Sequence, residues 1–362
     1  MKEEIMSRVN KLLASMRAQS IDAVLLATEE HSTKNVRYFS NFSGSTGYTL
    51  IAPDKQMIFT DSRYWEQTQA QSPLAFEKIK ELNPRAFVSR YFQSYKRIGF
   101  EAKAMTVDFF NVFKAYLPPY VEWIPIDGLI STIRCAKSVE EKNKVVEANK
   151  IAIAAFKEMI GELKEGMTEK EAATILEFRM MKLGAEDKAF GTIVASGWRG
   201  ALPHGVASDK KIEKGELIVF DFGCFLEGYC SDITRTIAFG KPSEEMIAVY
   251  HIVKEAQNRA ERAAKSGMSG KEVDTIARDY ITEMGYGEYF GHGLGHGIGL
   301  DVHEEPRVSQ ANQTALQVGA IVTIEPGVYL PNRFGVRIEN DVFLGAETTE
   351  VLTDFPTDLI IV

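Results

Sequence analysis

At 362 residues the chain exceeds what one hydrophobic core usually supports, so two domains are expected. Its 45% hydrophobic and 25% charged content is that of a globular protein, and a net charge of -8 denies nucleic acid the basic face it needs. No apolar run reaches membrane-spanning length, and the acidic, amphipathic start Met1-Lys2-Glu3-Glu4-Ile5 is not a secretory signal.

In residues 3–19, Ile5, Val9, Leu12, Leu13 and Met16 fall on one stripe, which predicts an amphipathic helix. The apolar run 21–27 predicts a buried strand, and 48–52 with 56–60 predict a hairpin turned at Pro53-Asp54-Lys55. Asp61 is placed to cap a helix that follows. A strand at 97–101 and a helix at 106–116 continue the alternation, so residues 1–127 read as a small α/β domain whose end is punctuated by Pro118, Pro119 and Pro125. Residues 128–362 form the second domain. There Ser138 with Glu141 is a capping box opening a helix to about Leu163, and Thr168 with Glu171 opens another to about Leu183. Ser269 with Glu272 opens a third, after a helix over 243–266. The odd set Cys135, Cys224 and Cys230 points to a reducing cytoplasm, with the thiols acting as small buried hydrophobes.

An internal repeat runs through this second domain. Lys164-Glu165-Gly166-Met167-Thr168 aligns with Lys265-Ser266-Gly267-Met268-Ser269, and Phe220-Asp221-Phe222-Gly223 with Ile324-Glu325-Pro326-Gly327. Two copies are too few for a solenoid, so each half reads as two helices followed by strands, packed about a pseudo-twofold axis. The overall class is α+β.

The repeat also locates a site. Asp221 and Glu325 each end an apolar strand, where a lone buried carboxylate costs several kcal/mol. Two such intrusions at matching positions ask for a shared cation. Each half supplies a second acid on a following strand, Asp232 and Glu339. The stretch from Gly291 to His303 gathers His292, His296 and His303 among five glycines, a composition that suits close approach of backbone to a metal, a substrate or another strand. Four carboxylates and one imidazole could hold two divalent ions. The plainer alternative is a set of separate helix caps and surface ion pairs beside an inconsequential loop.

In order and spacing Asp221, Asp232, His296, Glu325 and Glu339 resemble the five ligands of the pita-bread metallopeptidases, the superfamily of methionine aminopeptidase, aminopeptidase P and prolidase. The resemblance covers roughly residues 138–355. Residues 1–127 resemble the creatinase-type N-terminal domain of the proline-specific branch, through Asn41-Phe42-Ser43-Gly44-Ser45 and Thr60-Asp61-Ser62-Arg63-Tyr64. The resemblance implies that Asp221 chelates one metal, that His296 and Glu325 hold the other, and that Asp232 and Glu339 bridge them. It implies a metal-bridging hydroxide as nucleophile, and manganese as the ion, with cobalt or zinc able to substitute. Among the catalytic groups it counts Glu325, His303 at the tetrahedral intermediate, and His204 in substrate binding or proton transfer. His292 and Arg337 would shape the proline-side pocket and hold substrate, although Arg337 also reads as a salt-bridge partner of the ligands. Thr234 is expected to orient Asp232.

The implied activity is a dinuclear-metal exopeptidase. The reading leans to an Xaa-Pro aminopeptidase acting on peptides with proline second; the alternative is Xaa-Pro dipeptidase, or prolidase. A non-peptidase binding or creatinase-like member of the fold is the third. No nucleic acid or membrane partner is expected. The resemblance also implies a homodimer in which the N-terminal domain borders the partner's cleft; the alternative is that this domain is a structural cap.

Overall fold

Hydrophobic stripes and capping residues set the first elements of the chain. The computed structural model describes residues 2–29, 34–79 and 83–362. Two compact units divide between Ile133 and Arg134, inside the helix Asp127–Cys135, whereas the sequence reading put the division at Asp127. The side chain of Asp127 accepts from the Ala102 and Lys103 amides, which ties the start of that helix to the first unit.

In the first unit, α1 (Lys2–Ala18) buries Ile5, Val9, Leu12 and Met16. β1 (Ala23–Glu29) lies at the centre of a six-stranded sheet with β2 (Thr46–Ala52), β3 (Lys55–Thr60), β4 (Ala75–Lys78), β5 (Arg97–Phe100) and β6 (Glu122–Pro125), in the order β4-β3-β2-β1-β5-β6. β1 starts two residues later than the apolar run, because the Asp22 carboxylate turns aside to accept from the Lys96 and Arg97 amides at 2.9 Å. β2 and β3 form the expected hairpin, pairing Tyr48 with Phe59. Asp61 is not the helix cap. The helix begins only at Trp65, and the Asp61 side chain instead accepts from the backbone and side chain of Arg63. The aromatic rings of Tyr48, Phe59, Phe87, Tyr91 and Phe113 pack into the core of this unit.

The second unit is built twice. In the first half, α2 (Val139–Ile160) and α3 (Glu169–Lys182) start at the capping boxes of Ser138 and Thr168. They pack on β7 (Ile193–Ser196), β8 (Glu216–Phe222) and β9 (Ile233–Phe239), an antiparallel sheet in the order β9-β8-β7. In the second half, α4 (Glu244–Ala263) and α5 (Gly270–Glu283) precede a five-stranded sheet. Its strands are β10 (Gly295–Gly297), β11 (Glu304–Val308), β12 (Ala320–Ile324), β15 (Asn340–Leu344) and β16 (Thr349–Val351), in the order β11-β10-β12-β15-β16. Between them β13 (Gly327–Leu330) and β14 (Phe334–Arg337) make a hairpin. Each half has its own core: Phe156, Leu176, Phe220 and Phe222 in one, Tyr250, Val253, Val322 and Ile324 in the other.

The duplication extends to single hydrogen bonds. Gly166 N donates to Ile212 O, and Gly267 N to Leu316 O, both at 2.9 Å; the return bonds run from Ile212 N to Met167 O and from Leu316 N to Met268 O. Gly166 and Gly267 both lie at positive φ, 81° and 90°, where a side chain would strain the turn. Among the described residues no helix is long and apolar enough to cross a membrane. Cys135, Cys224 and Cys230 are free and buried, and burial pushes the Cys224 thiol up to about 11.

Candidate metal centre and substrate cavity

The carboxylates enter the cavity because the strands carrying them are anchored on either side. In β8, Phe220 and Phe222 fill the core of the first half, while Asp221 between them faces a cavity of about 520 Å³. Glu325 follows the last residue of β12, itself buried in the second core. Asp232 precedes β9, and Glu339 lies between β14 and β15. His296 is the centre of β10, whose two glycines allow that strand to pass between its neighbours. A Cβ on Gly295 would lie 2.0 Å from Thr323 O, and one on Gly297 2.4 Å from Glu305 O. Close approach of another strand is therefore what the glycines serve.

The cavity brings together all nine residues expected from the sequence: His204, Asp221, Asp232, His292, His296, His303, Glu325, Arg337 and Glu339. Ligand atoms of Asp232, His296 and Glu339 lie within 4.8 Å of one another. His296 Nε2 stands 3.3 Å from Glu325 Oε1 and 3.7 Å from Asp232 Oδ2. Burial raises the Asp232 and Glu339 carboxyls well above the usual range, and their acidic neighbours raise them further. Glu325 is pushed up to about 8, again chiefly by burial. Burial and the neighbouring His303 bring His296 down to about 3, leaving a neutral imidazole with a free lone pair. Asp221 Oδ1 and Asp232 Oδ1 are buried without a hydrogen-bond partner. Orphaned carboxylate oxygens, crowded acids and a neutral imidazole form a donor set that fits divalent cations, which would relieve the repulsion that the fold maintains.

Arg337 is a genuine partner of the acids. Its Nη2 donates to Asp221 Oδ2 at 2.5 Å, its Nη1 to Tyr329 Oη at 2.9 Å and to Pro203 O, and its Nε to Thr234 Oγ1. Burial works against this charge, but Tyr329, Asp221 and Glu325 outweigh it and hold the guanidinium protonated. Thr234 lies in the site with a different partner from the one expected. Its hydroxyl donates to Glu339 Oε2 at 2.6 Å, not to Asp232, because the register of β9 sets it opposite Asp221 and beside the turn carrying Glu339. Asp232 is instead backed by Asp341, whose Oδ2 accepts from the Asp232 amide and from Asn149.

Sequence reasoning missed several of these groups. Tyr329 bridges His292 Nε2, at 2.9 Å, and Arg337. Phe190, Ile193, Val206 and Val302 give the cavity an apolar wall. Arg307 also lines it, and among the described residues no carboxylate pairs with its guanidinium. Neither Tyr329 nor Arg307 carried a local sequence signal: it is the fold that brings Arg307, four residues beyond His303, to a cavity that already holds acids.

Fold and site together are those of a metal-dependent hydrolase. The pattern of metallopeptidase family M24 matches residues 143–346, and that of the Creatinase/Prolidase N-terminal domain matches residues 8–136. The chain belongs to metallopeptidase family M24. It is 41% identical over 354 residues to the Xaa-Pro dipeptidase of Pyrococcus horikoshii, covering 98% of both chains. Its structure superposes on an Xaa-Pro dipeptidase from Bacillus anthracis with a TM-score of 0.94 and 42% identity, covering 99% of this chain and 100% of that one. An X-Pro aminopeptidase from Thermotoga maritima MSB8 gives 0.90 at 42% identity, covering 96% and 100%.

Proposed function

We propose that this chain hydrolyses the peptide bond preceding proline and that its substrates are Xaa-Pro dipeptides. The observation that carries the choice of dipeptides is Arg307. An unpaired guanidinium in the cavity suits a free carboxylate, which a dipeptide presents next to its proline ring and a longer peptide does not. The relatives named Xaa-Pro dipeptidase support the same reading and shift weight away from the aminopeptidase to which the sequence leaned.

Asp221, Asp232, His296, Glu325 and Glu339 would hold two divalent ions, with manganese the first expectation from oxygen-dominated ligation. When bound, such ions supply an activated water and polarise the scissile carbonyl. The chain's own groups do the rest. Asp232 and Glu339 would serve as ligands common to both ions, and the Thr234 hydroxyl donates to the Glu339 carboxylate. His303 offers a ring N–H to the oxygen that becomes negative in the tetrahedral intermediate. His204, exposed at the cavity, meets the substrate and moves its proton. His292 and Tyr329 form a polar edge beside the apolar wall that accepts the proline ring. The resemblance supports a homodimer, and the three free, buried cysteines support a cytoplasmic location.

The second reading, an aminopeptidase removing one residue ahead of proline, is favoured by the Thermotoga maritima structure at equal identity. Turnover of Ala-Pro against Ala-Pro-Ala by manganese-loaded protein separates the two. The dipeptide should be preferred by about 10² in kcat/KM, and Arg307→Met should abolish most of that preference, as loss of a charge-assisted contact does. Faster cleavage of Ala-Pro-Ala, unaffected by Arg307→Met, would establish the aminopeptidase instead.

A further inference from the structure

His303 has a placement problem. Its ring lines the cavity, yet among the described residues nothing hydrogen-bonds to it. Its ring contact is an edge-on approach to His296, with centroids 4.2 Å apart. The position of the imidazole is therefore inherited from its backbone, the turn over residues 299–304.

That turn is fastened outside the cavity. Glu304, the next residue, forms ion pairs with Lys137 at 2.7 Å and with Arg134, and Arg134 also reaches Asp301 Oδ2 at 2.7 Å. The Lys137 side chain is 1% exposed and that of Glu304 9%. Burial alone would raise the Glu304 carboxyl, but Lys137 and Arg134 outweigh it and hold the group below its usual range. At the other end of the turn Gly299 O accepts from the Cys230 amide at 2.9 Å, two residues from Asp232. The packing is close: a Cβ on Gly299 would lie 2.7 Å from Glu304 Oε1 and 3.0 Å from Lys137 Cε. Neither Arg134, Lys137 nor Glu304 lines the cavity.

We propose that Glu304, clamped by Arg134 and Lys137, is the positioning residue for His303, so that the first residues of the second unit set the reach of a group acting on the substrate. The proposal rests on the reading of His303 given above. Its substance is mechanical: a ring with no hydrogen-bond partner of its own needs a rigid backbone, and the buried ion cluster supplies the rigidity.

The choice of variant follows from the charges. Arg134 pairs with Asp301 and Glu304, and Lys137 pairs with Glu304. Glu304→Gln would leave Lys137 buried without a carboxylate and risks unfolding. Lys137→Met keeps the aliphatic stem and the Arg134–Glu304 pair, and the other acid of the cluster, Asp301, has a side chain that is 43% exposed and open to water. In the full-length, manganese-loaded protein, Lys137→Met should lower kcat on Ala-Pro about tenfold with KM changed less than about twofold, as a small misplacement of a reacting group does. His303→Ala should lower kcat about 10², and the double variant should be no slower than His303→Ala. A second readout needs no turnover. In metal-free protein with carbon-13-labelled histidine, the His303 ring resonance, identified by its absence in His303→Ala, should shift or broaden in Lys137→Met, while that of the remote His251 stays put. Losses that multiply in the double variant, or an unmoved His303 resonance, would overturn the proposal. If His303→Ala alone left kcat intact, the role given to His303 would fail, and the resonance alone would then decide whether the clamp holds the ring.

Discussion

Replacing Thr234 by valine isolates one support of the proposed metal centre. Thr234 is fully buried, and its hydroxyl is the only described side-chain donor to Glu339, at 2.6 Å. Valine keeps the shape, so no cavity opens. Arg337 loses the Nε contact to Thr234 but keeps Asp221, Tyr329 and Pro203 O, so the damage falls on Glu339. A hydrogen bond to an ionised carboxylate contributes about 1.5–3 kcal/mol. Lost from a ligand, that is roughly a 10- to 150-fold weakening of metal binding, which overlaps the roughly 10- to 100-fold loss typical when a residue supporting a ligand is removed. Isothermal titration of demetallated protein with manganese measures it directly, and circular dichroism checks the fold. A crystal structure of the variant should show Glu339 displaced and Asp232 in place. Manganese affinity within about twofold of the parent would refute the reasoning.

Without metal the acids penalise the fold at neutral pH. Because Glu325 is pushed up to about 8, the folded state holds a proton that the unfolded chain releases above about 4.5, so stability should fall as pH rises between those values. Melting temperatures of metal-free protein at about pH 6 and about pH 8 test the sign, and a higher value at the upper pH would contradict it. Saturating manganese should flatten the dependence, since bound ions favour the deprotonated native site. Gly295→Ala should cost about 1–3 kcal/mol and weaken metal binding together, because its Cβ would press on Thr323 O and displace the strand that carries His296. A stability change without any loss of metal affinity would show that His296 is placed independently of that strand.

The cluster of acids that forms the candidate metal centre was legible in the sequence because it breaks a rule. A carboxylate ending an apolar strand is anomalous, and the repeat made Asp221 and Glu325 the same anomaly twice. The capping boxes at Ser138, Thr168 and Ser269 were equally plain, since a cap is a local exchange of hydrogen bonds between residues three apart. Asp61 shows the limit of that logic: a neighbouring Arg63 outcompeted the helix amides for its oxygens. Thr234 was the right residue with the wrong partner, because the acid that meets its hydroxyl depends on chain brought in from 105 positions away. Tyr329 and Arg307 gave no local signal. A tyrosine in a strand and an arginine after a loop acquire meaning only once β13 and β11 are folded around the cavity.

The central claim is that the crowded acids are a centre for two cations on which peptidase activity depends. Demetallated protein should be titrated with manganese while Ala-Pro hydrolysis is followed in the same samples, with Asp232→Asn as the control that removes a shared carboxylate. The account predicts two ions per chain at saturation, activity that appears only on loading, and no turnover in Asp232→Asn. Full activity in thoroughly demetallated protein, or an Asp232→Asn variant as active as the parent, would contradict it.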